Sequence, residues 1–355
     1  MGRPLMLVSA SADGELRRAV AEGRRPRPEF LALEADHGVE LLDWSRLPLG
    51  AGRHGRSGLT SLVHVASALA RSRRVSALFS DGEHLGIPMA LALRLVAARI
   101  PHLVLGHNLT APAKRPFFRR LHADRGMTRI LVHSERQRSI AVSDLGIAPE
   151  RLHVVPYVAD TAFWRPRPVT GRDRLIVAAG LEHRDYRTLV DALPGLQASL
   201  VAAVGSVHSP QSSARLPERW PDGATVGYAG YEGLREHFAA AAAIVVPVVE
   251  TDFQAGITTA LEAMAMARPV IVSETRGLRG LVRDGETGLV VPPGDPAALH
   301  CAMARLLDDP ALGERLGREA RQFVQRECSL PRFAARLADH LDAISDGSAL
   351  ATATR

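Results

Sequence analysis

Lysine is almost missing from this chain: Lys114 is the only one among 44 Lys and Arg residues. So lopsided a choice reflects the base composition of a coding sequence more readily than a selected basic surface. The sequence pI near 10.1 therefore says little about partners. Net charge is a modest +6 over 355 residues. No helix-turn-helix, zinc-finger spacing or RNP aromatic pattern occurs, which excludes nucleic-acid binding as the main role. Cysteine is scarce as well. Cys301 and Cys328 sit in helix-like stretches, so a disulfide framework is not expected and a reducing, cytoplasmic setting is. No apolar run reaches the roughly 18 residues that a membrane-crossing helix needs. Met1-Gly2-Arg3-Pro4 leads straight into the strand-like Leu5–Ser9, without a secretory leader pattern. Two short signatures are also lacking. Without Gly-x-Gly-x-x-Gly after the first strand, a hydride-transferring dinucleotide enzyme is the weakest reading. Without Asp-x-Asp, no carboxylate pair stands ready to hold a metal against a diphosphate, and no metal or cofactor is expected.

What is present is an alternation. A chain of this length divides naturally into two domains, and its 46% hydrophobic content is enough for two cores. Apolar runs Leu5–Ser9, Ser76–Phe79, His102–Gly106, Arg129–Val132 and Val154–Tyr157 are separated by helix-like stretches. The Pro- and Arg-rich segment Phe163–Asp173 reads as a linker, after which the rhythm restarts at Arg174–Ala179. This βα repetition predicts α/β architecture: two Rossmann-like, doubly wound domains with parallel sheets, over residues 1–165 and 166–330. A last helix over 331–345 and a small, polar, flexible tail over 346–355 follow. No internal repeat is visible.

The most informative stretch is Val246–Pro293. An apolar run (Ala242–Val249) meets a polar turn containing Gly256, which opens into the helix-like Ala255–Ala267. A strand feeding a glycine turn and a helix start presents unpaired backbone N–H groups and a positive dipole end to a phosphate. Ile257, Thr258 and Thr259 form the first turn. Glu262 lies four residues after Thr258, on the same helix face. Among apolar neighbours, its carboxylate is placed to accept hydrogen bonds from ribose hydroxyls while the helix start holds a diphosphate. A plain capped helix and a solvated glutamate are the bland alternatives.

At these residues the sequence resembles the GT-B, GT4-type (glycosyltransferase group 1, retaining) glycosyltransferases. Glu262-Ala263-Met264-Ala265, Arg268-Pro269-Val270-Ile271 and Asp284-Gly285-Glu286-Thr287-Gly288 carry the likeness. Upstream, Val132-His133-Ser134, the segment Arg151–Asp160 with Phe163, and His107 after its strand are similar to the family's first domain. Coverage runs from about Ser80 to Leu341 and is looser before Ile100.

The resemblance implies two domains facing across a cleft, with the C-terminal helix crossing back to the first. It also implies transfer of a sugar from a nucleotide diphosphate sugar to an acceptor, with retention and without a metal. Donor contacts would come from Gly180, Gly256, Ile257, Thr258, Thr259 and Glu262. His107, Gln254 and Arg184 would be the catalytic set. On the residues alone His107 reads equally as a satisfied strand-end histidine, and Arg184 as a surface partner of Asp185 or Glu182. Gln254 stands where the family has Glu, eight residues before Glu262. That replacement removes a negative charge beside the reacting carbon, and Glu250 or Asp252 would have to supply it instead. The family's phosphate-binding Lys matches Arg184, and the preceding Arg has no counterpart. These departures keep open a non-catalytic nucleotide-sugar-binding or regulatory GT-B protein, and a sugar-nucleotide epimerase beyond it.

Acceptor candidates are weaker: Gly14, where a simple turn is an equal reading, and Asp81 with Glu83, where a solvated turn is favoured. The acceptor itself, whether small molecule, glycan or lipid, is not legible. Lys114-Arg115-Pro116-Phe117-Phe118-Arg119-Arg120 mixes aromatics with cations. It reads as an ordinary amphipathic helix or as a peripheral contact at the inner membrane face.

Overall fold

The computed structural model describes residues 2–48, 58–168, 174–205 and 214–346. Contacts divide the chain into two compact units. One comprises residues 1–22, 27–156 and 331–355, and the other 23–26 and 157–330.

In the first unit, β1 (Leu5–Leu7), α1 (Gly14–Ala21), α2 (Glu29–His37), β2 (Glu40–Leu42), α3 (Gly58–Arg71) and β3 (Leu78–Asp81) come in order. They are followed by α4 (Glu83–Leu95), β4 (His102–Gly106), α5 (Arg115–Arg119), β5 (Arg129–Val132), α6 (Glu135–Leu145) and β6 (Leu152–Val154). The six strands form one parallel sheet in the order β2-β1-β3-β4-β5-β6. Helices cover the faces of such a sheet, so its central strands are apolar throughout rather than alternating. Accordingly His102–Gly106 is buried at every position.

The second unit repeats the plan with β7 (Leu175–Ala179), α7 (Tyr186–Asp191), β8 (Ser199–Ala203), β9 (Thr225–Gly227), α8 (Tyr231–Ala240) and β10 (Ala243–Val246). Then come α9 (Ile257–Ala265), β11 (Val270–Ser273), β12 (Leu289–Val291), α10 (Pro296–Asp308) and α11 (Pro310–Phe323). Its sheet is also parallel, in the order β12-β11-β10-β7-β8-β9. Helix starts are set locally. Asp295 and Asp309 accept from the amides of Ala298 and Leu312, at 2.9 and 3.0 Å, ahead of Pro296 and Pro310.

A π turn (Val324–Cys328) leads into α12 (Leu330–Ser345), which packs with the first unit as the resemblance implied. There Phe333 stacks on His133 at 6.3 Å, and Arg129 donates to Nδ1 of His340 at 3.1 Å.

The division between units falls after Pro156 rather than at residue 165. Ala159, Phe163 and Trp164, expected to close the first domain or begin a linker, are buried in the core of the second unit. Trp164 is 1% exposed and packs edge-on against Phe163. Of the expected linker, residues 169–173 lie outside the described residues, as does the expected tail from 347 onward.

Candidate functional site

In a doubly wound sheet ligands bind beyond the carboxyl ends of the strands, where the strand order reverses. In the second unit that reversal lies between neighbours β7 and β10. The loop leaving β7 holds Gly180 and Arg184, and the loop leaving β10 holds Gln254 and Gly256. The two loops are stitched together. The Asp185 amide donates to Pro247 O at 2.9 Å and the Val249 amide to His183 O at 3.0 Å.

Arg184 sits between them and is only 4% exposed. Its Nε donates to Ala179 O at 2.8 Å, Nη1 to Glu182 O at 2.9 Å and Nη2 to Thr259 Oγ1 at 3.0 Å. Two of the five guanidinium N–H groups remain after these bonds. Both glycines are required here. Gly180 has φ +101, and a Cβ on it would stand 2.8 Å from Arg184 Cζ. Gly256 has φ +87, and a Cβ there would stand 2.6 Å from Val246 Cγ1 and 3.4 Å from Arg184 Nη1. Positive φ together with the Arg184 guanidinium beside Gly180, and with Val246 and Val248 beside Gly256, favours glycine on both loops.

Helix α9 begins at this point without a side-chain cap. The Ile257 amide donates to Gln254 O at 3.3 Å and its side chain lies in the core. Ile257 therefore has no free donor to offer. The amides of Gly256, Thr258 and Thr259 meet no acceptor among the described residues, so the helix start keeps free N–H groups and its positive dipole end.

One turn on, Glu262 is 8% exposed. No hydrogen-bond donor among the described residues reaches its carboxylate. Burial pushes it up to about 8, against the pull of Arg184. Burial likewise lowers Arg184, offset by Tyr186, Glu182 and Glu262. Glu250 and Asp252, the alternative source of charge for Gln254, are both engaged by Arg276, at 3.3 and 3.1 Å. That ion pair commits them elsewhere.

In the first unit the reversal lies between β1 and β3, and a polar cluster occupies the strand ends. Ser9, after β1, hydrogen-bonds His84. Asp81 ends β3, and its Oδ1 lies 3.3 Å from Nε2 of His107, which follows β4. Burial opposes protonation of His107, but the Asp81 hydrogen bond and the charges of Asp81, Glu83 and Glu29 outweigh it and raise the imidazole. Glu29, at the start of α2, is raised to about 7 by burial and by Asp81. A group poised there takes or gives a proton near neutrality.

Glu83, expected as an acceptor contact, is 4% exposed and satisfied internally. It accepts from the Asn108 amide at 2.5 Å and faces Lys114 Nζ at 3.3 Å. Ser134 caps α6, accepting from the Gln137 amide at 3.1 Å. Gly14 opens α1 with open space where a Cβ would sit. Ser9, His84 and Glu29 escaped the sequence reading. They come from three segments far apart in the chain, a strand end and two helix starts, and only the parallel sheet brings them together.

Residues 172–309 match the model of the family described as Glycosyl transferases group 1. The D-inositol 3-phosphate glycosyltransferase of Streptomyces avermitilis is 27% identical over 283 residues, which are 75% of this chain and 57% of that protein. The chain thus spans little more than half the length of that relative. Among solved structures, sucrose-phosphate synthase from Thermosynechococcus elongatus superposes with TM-score 0.68 at 20% identity, over 97% of this chain and all of that one. Anabaena HepE in complex with UDP-glucose superposes with TM-score 0.66 at 16% identity, over the same shares of each chain.

The fold is of the GT-B kind: two parallel six-stranded, Rossmann-like units, the second of which contains the segment that matches the group 1 glycosyltransferase model. Alpha-D-kanosaminyltransferase of Streptomyces kanamyceticus is a further relative, 25% identical over 275 residues, which are 72% of this chain and 70% of that protein.

Proposed function

We propose that this chain transfers a glycosyl group from a nucleoside diphosphate sugar to a hydroxyl acceptor, with retention and without a metal ion. The observation that carries the reading is the bare Glu262 carboxylate, nearly buried and undonated, one turn into a helix whose first amides are uncapped. A buried carboxylate without hydrogen bonds is costly, and vicinal ribose hydroxyls supply the missing donors. The amides of Gly256, Thr258 and Thr259 meet the diphosphate, and Arg184 backs them with its two remaining N–H groups. In transfer, the bond from the anomeric carbon to the phosphate oxygen breaks and the acceptor oxygen bonds to that carbon. The acceptor proton passes to the departing diphosphate, whose charge the helix start and Arg184 stabilise. Gln254 orients the sugar by neutral hydrogen bonding. In the first unit, His107 held by Asp81 offers a hydrogen-bonding group for a hydroxyl. The solved relative with UDP-glucose supports a donor of this kind.

The test is a thermal-shift series with UDP, GDP, dTDP and ADP, followed by donor hydrolysis with the matching nucleotide sugars. One nucleotide is expected to raise Tm, and slow hydrolysis to vanish in Glu262→Ala. No shift with any nucleotide refutes the reading. A shift without turnover on any donor leaves a nucleotide-sugar binder, the outcome Gln254 would favour.

A further inference from the structure

We propose that the first unit docks on an anionic lipid surface through the face formed by the end of α4 and by α5. The observation is a convergence of exposed apolar side chains. Leu95 is 87% exposed, Val96 56%, Leu121 49% and Phe117 39%, the largest such group in this unit outside α3. The two segments are remote in sequence but joined in space. The Arg94 guanidinium closing α4 donates to the carbonyls of Leu121 and His122 beyond α5.

The arrangement is two-faced. Phe118 of α5, Ile87 and Ala90 of α4, and Ala123 just beyond α5 fill the core beneath, and Phe117 and Leu95 are exposed. Gly126 fits this seam closely, since a Cβ on it would run into the Ala90 backbone.

The rim decides the occupant. Arg115, Arg119, Arg120 and Arg125 are all exposed around the apolar residues. Among the described residues, the one acidic partner of these arginines is Asp144, 3.8 Å from Arg115. A second copy of the chain would bring two arginine rims together, and nucleic acid would leave the apolar centre uncovered. An anionic bilayer satisfies both parts: the apolar side chains enter the headgroup boundary while the guanidinium groups meet lipid phosphates. Among the described residues no helix is long and apolar enough to cross a membrane, so the contact is superficial.

The experiment is co-sedimentation of the full chain with phosphatidylcholine vesicles, with and without phosphatidylglycerol. Binding is expected with phosphatidylglycerol and not without it, and is expected to weaken as salt rises. Leu95→Glu with Leu121→Glu should weaken it at least about tenfold. Arg119→Glu with Arg120→Glu should weaken it by more than about fivefold per position. Both pairs are exposed, so circular dichroism and the thermal midpoint should be unchanged. No sedimentation with phosphatidylglycerol vesicles, or equal sedimentation of both variants, overturns the proposal. So does a concentration-dependent dimer lost in the leucine variant without any vesicle binding, which would make the face a contact between copies.

Discussion

Glu262 is the residue on which chemistry and stability pull in opposite directions. Its folded value, about 8, lies above the ordinary 4.5 because burial disfavours the charged form. A carboxyl raised in this way stabilises the fold fully below about pH 4.5, and that contribution is lost as pH rises through 8. Ribose hydroxyls need the opposite, an ionised acceptor. Nucleotide affinity should therefore climb as pH goes from 6 to 8, by up to about tenfold per unit, and calorimetry should register protons released on binding. Glu262→Gln should stabilise the unliganded protein above pH 8 by no more than a few kcal/mol while weakening nucleotide binding at least about tenfold. Urea midpoints and titration at two pH values check both halves. A variant that binds as tightly as the parent removes Glu262 from the site.

At the scale of elements, the turn into α9 is the part most open to a single methyl group. Gly256→Ala places a Cβ against Val246 and Arg184 at φ +87, so it should cost about 1–3 kcal/mol and cover the free amides. A lowered urea midpoint together with lost nucleotide binding is expected, and a neutral effect would refute the close packing. Acid acts on a different element. His133 is held down to about 3 and His340 to about 4, each chiefly by burial, and both lie against or within α12. Depressed histidines stabilise fully above about pH 6.5 and lose that contribution as pH falls through their folded values. Between pH 6 and 4 the docking of α12 should weaken, read as faster amide exchange across Leu330–Ser345. His340→Gln, which keeps an acceptor for Arg129 without a titrating ring, should blunt the change. These elements also mark how far the sequence could be read. Strands His102–Gly106 and Arg129–Val132 stand where their apolar runs put them, because strands covered on both faces are apolar without interruption. The short edge strands Glu40–Leu42 and Thr225–Gly227 were illegible, the latter being exposed at every position with Val226 as its one apolar side chain. Glu262 and Gly256 were legible because one loop and one helix hold them a turn apart. Glu29 was not, since Asp81 and His107, whose charges act on it, lie in segments remote in sequence.

Across the whole molecule, the two units carry the same doubly wound plan and divide the chemistry between them. In each, the polar groups gather where the strand order reverses. In the second unit the gathering is cationic and amide-rich, built from Arg184 and the start of α9, and it suits a diphosphate. In the first it is a carboxylate and imidazole cluster of Glu29, Asp81 and His107, and it suits hydroxyl groups and protons near neutrality. Parallel sheets make this possible because every strand delivers its following loop to the same edge. The division predicts that ligand and pH act on separate regions of one chain. In hydrogen exchange, a binding nucleotide should protect residues 180–187 and 254–262, and acidification from pH 7 to 5 should loosen the first unit around α12, where the histidines are depressed, but not around His107 and Glu29, whose raised values favour the protonated forms. Asp81→Asn removes the hydrogen-bonded charge that raises His107, so it should lower the apparent pKa of the imidazole, followed by its ring proton resonances. It should leave nucleotide protection in the second unit intact. Protection spread evenly over both units, or a His107 titration indifferent to Asp81, would mean that the donor and proton sites are not organised by the sheet in which each resides.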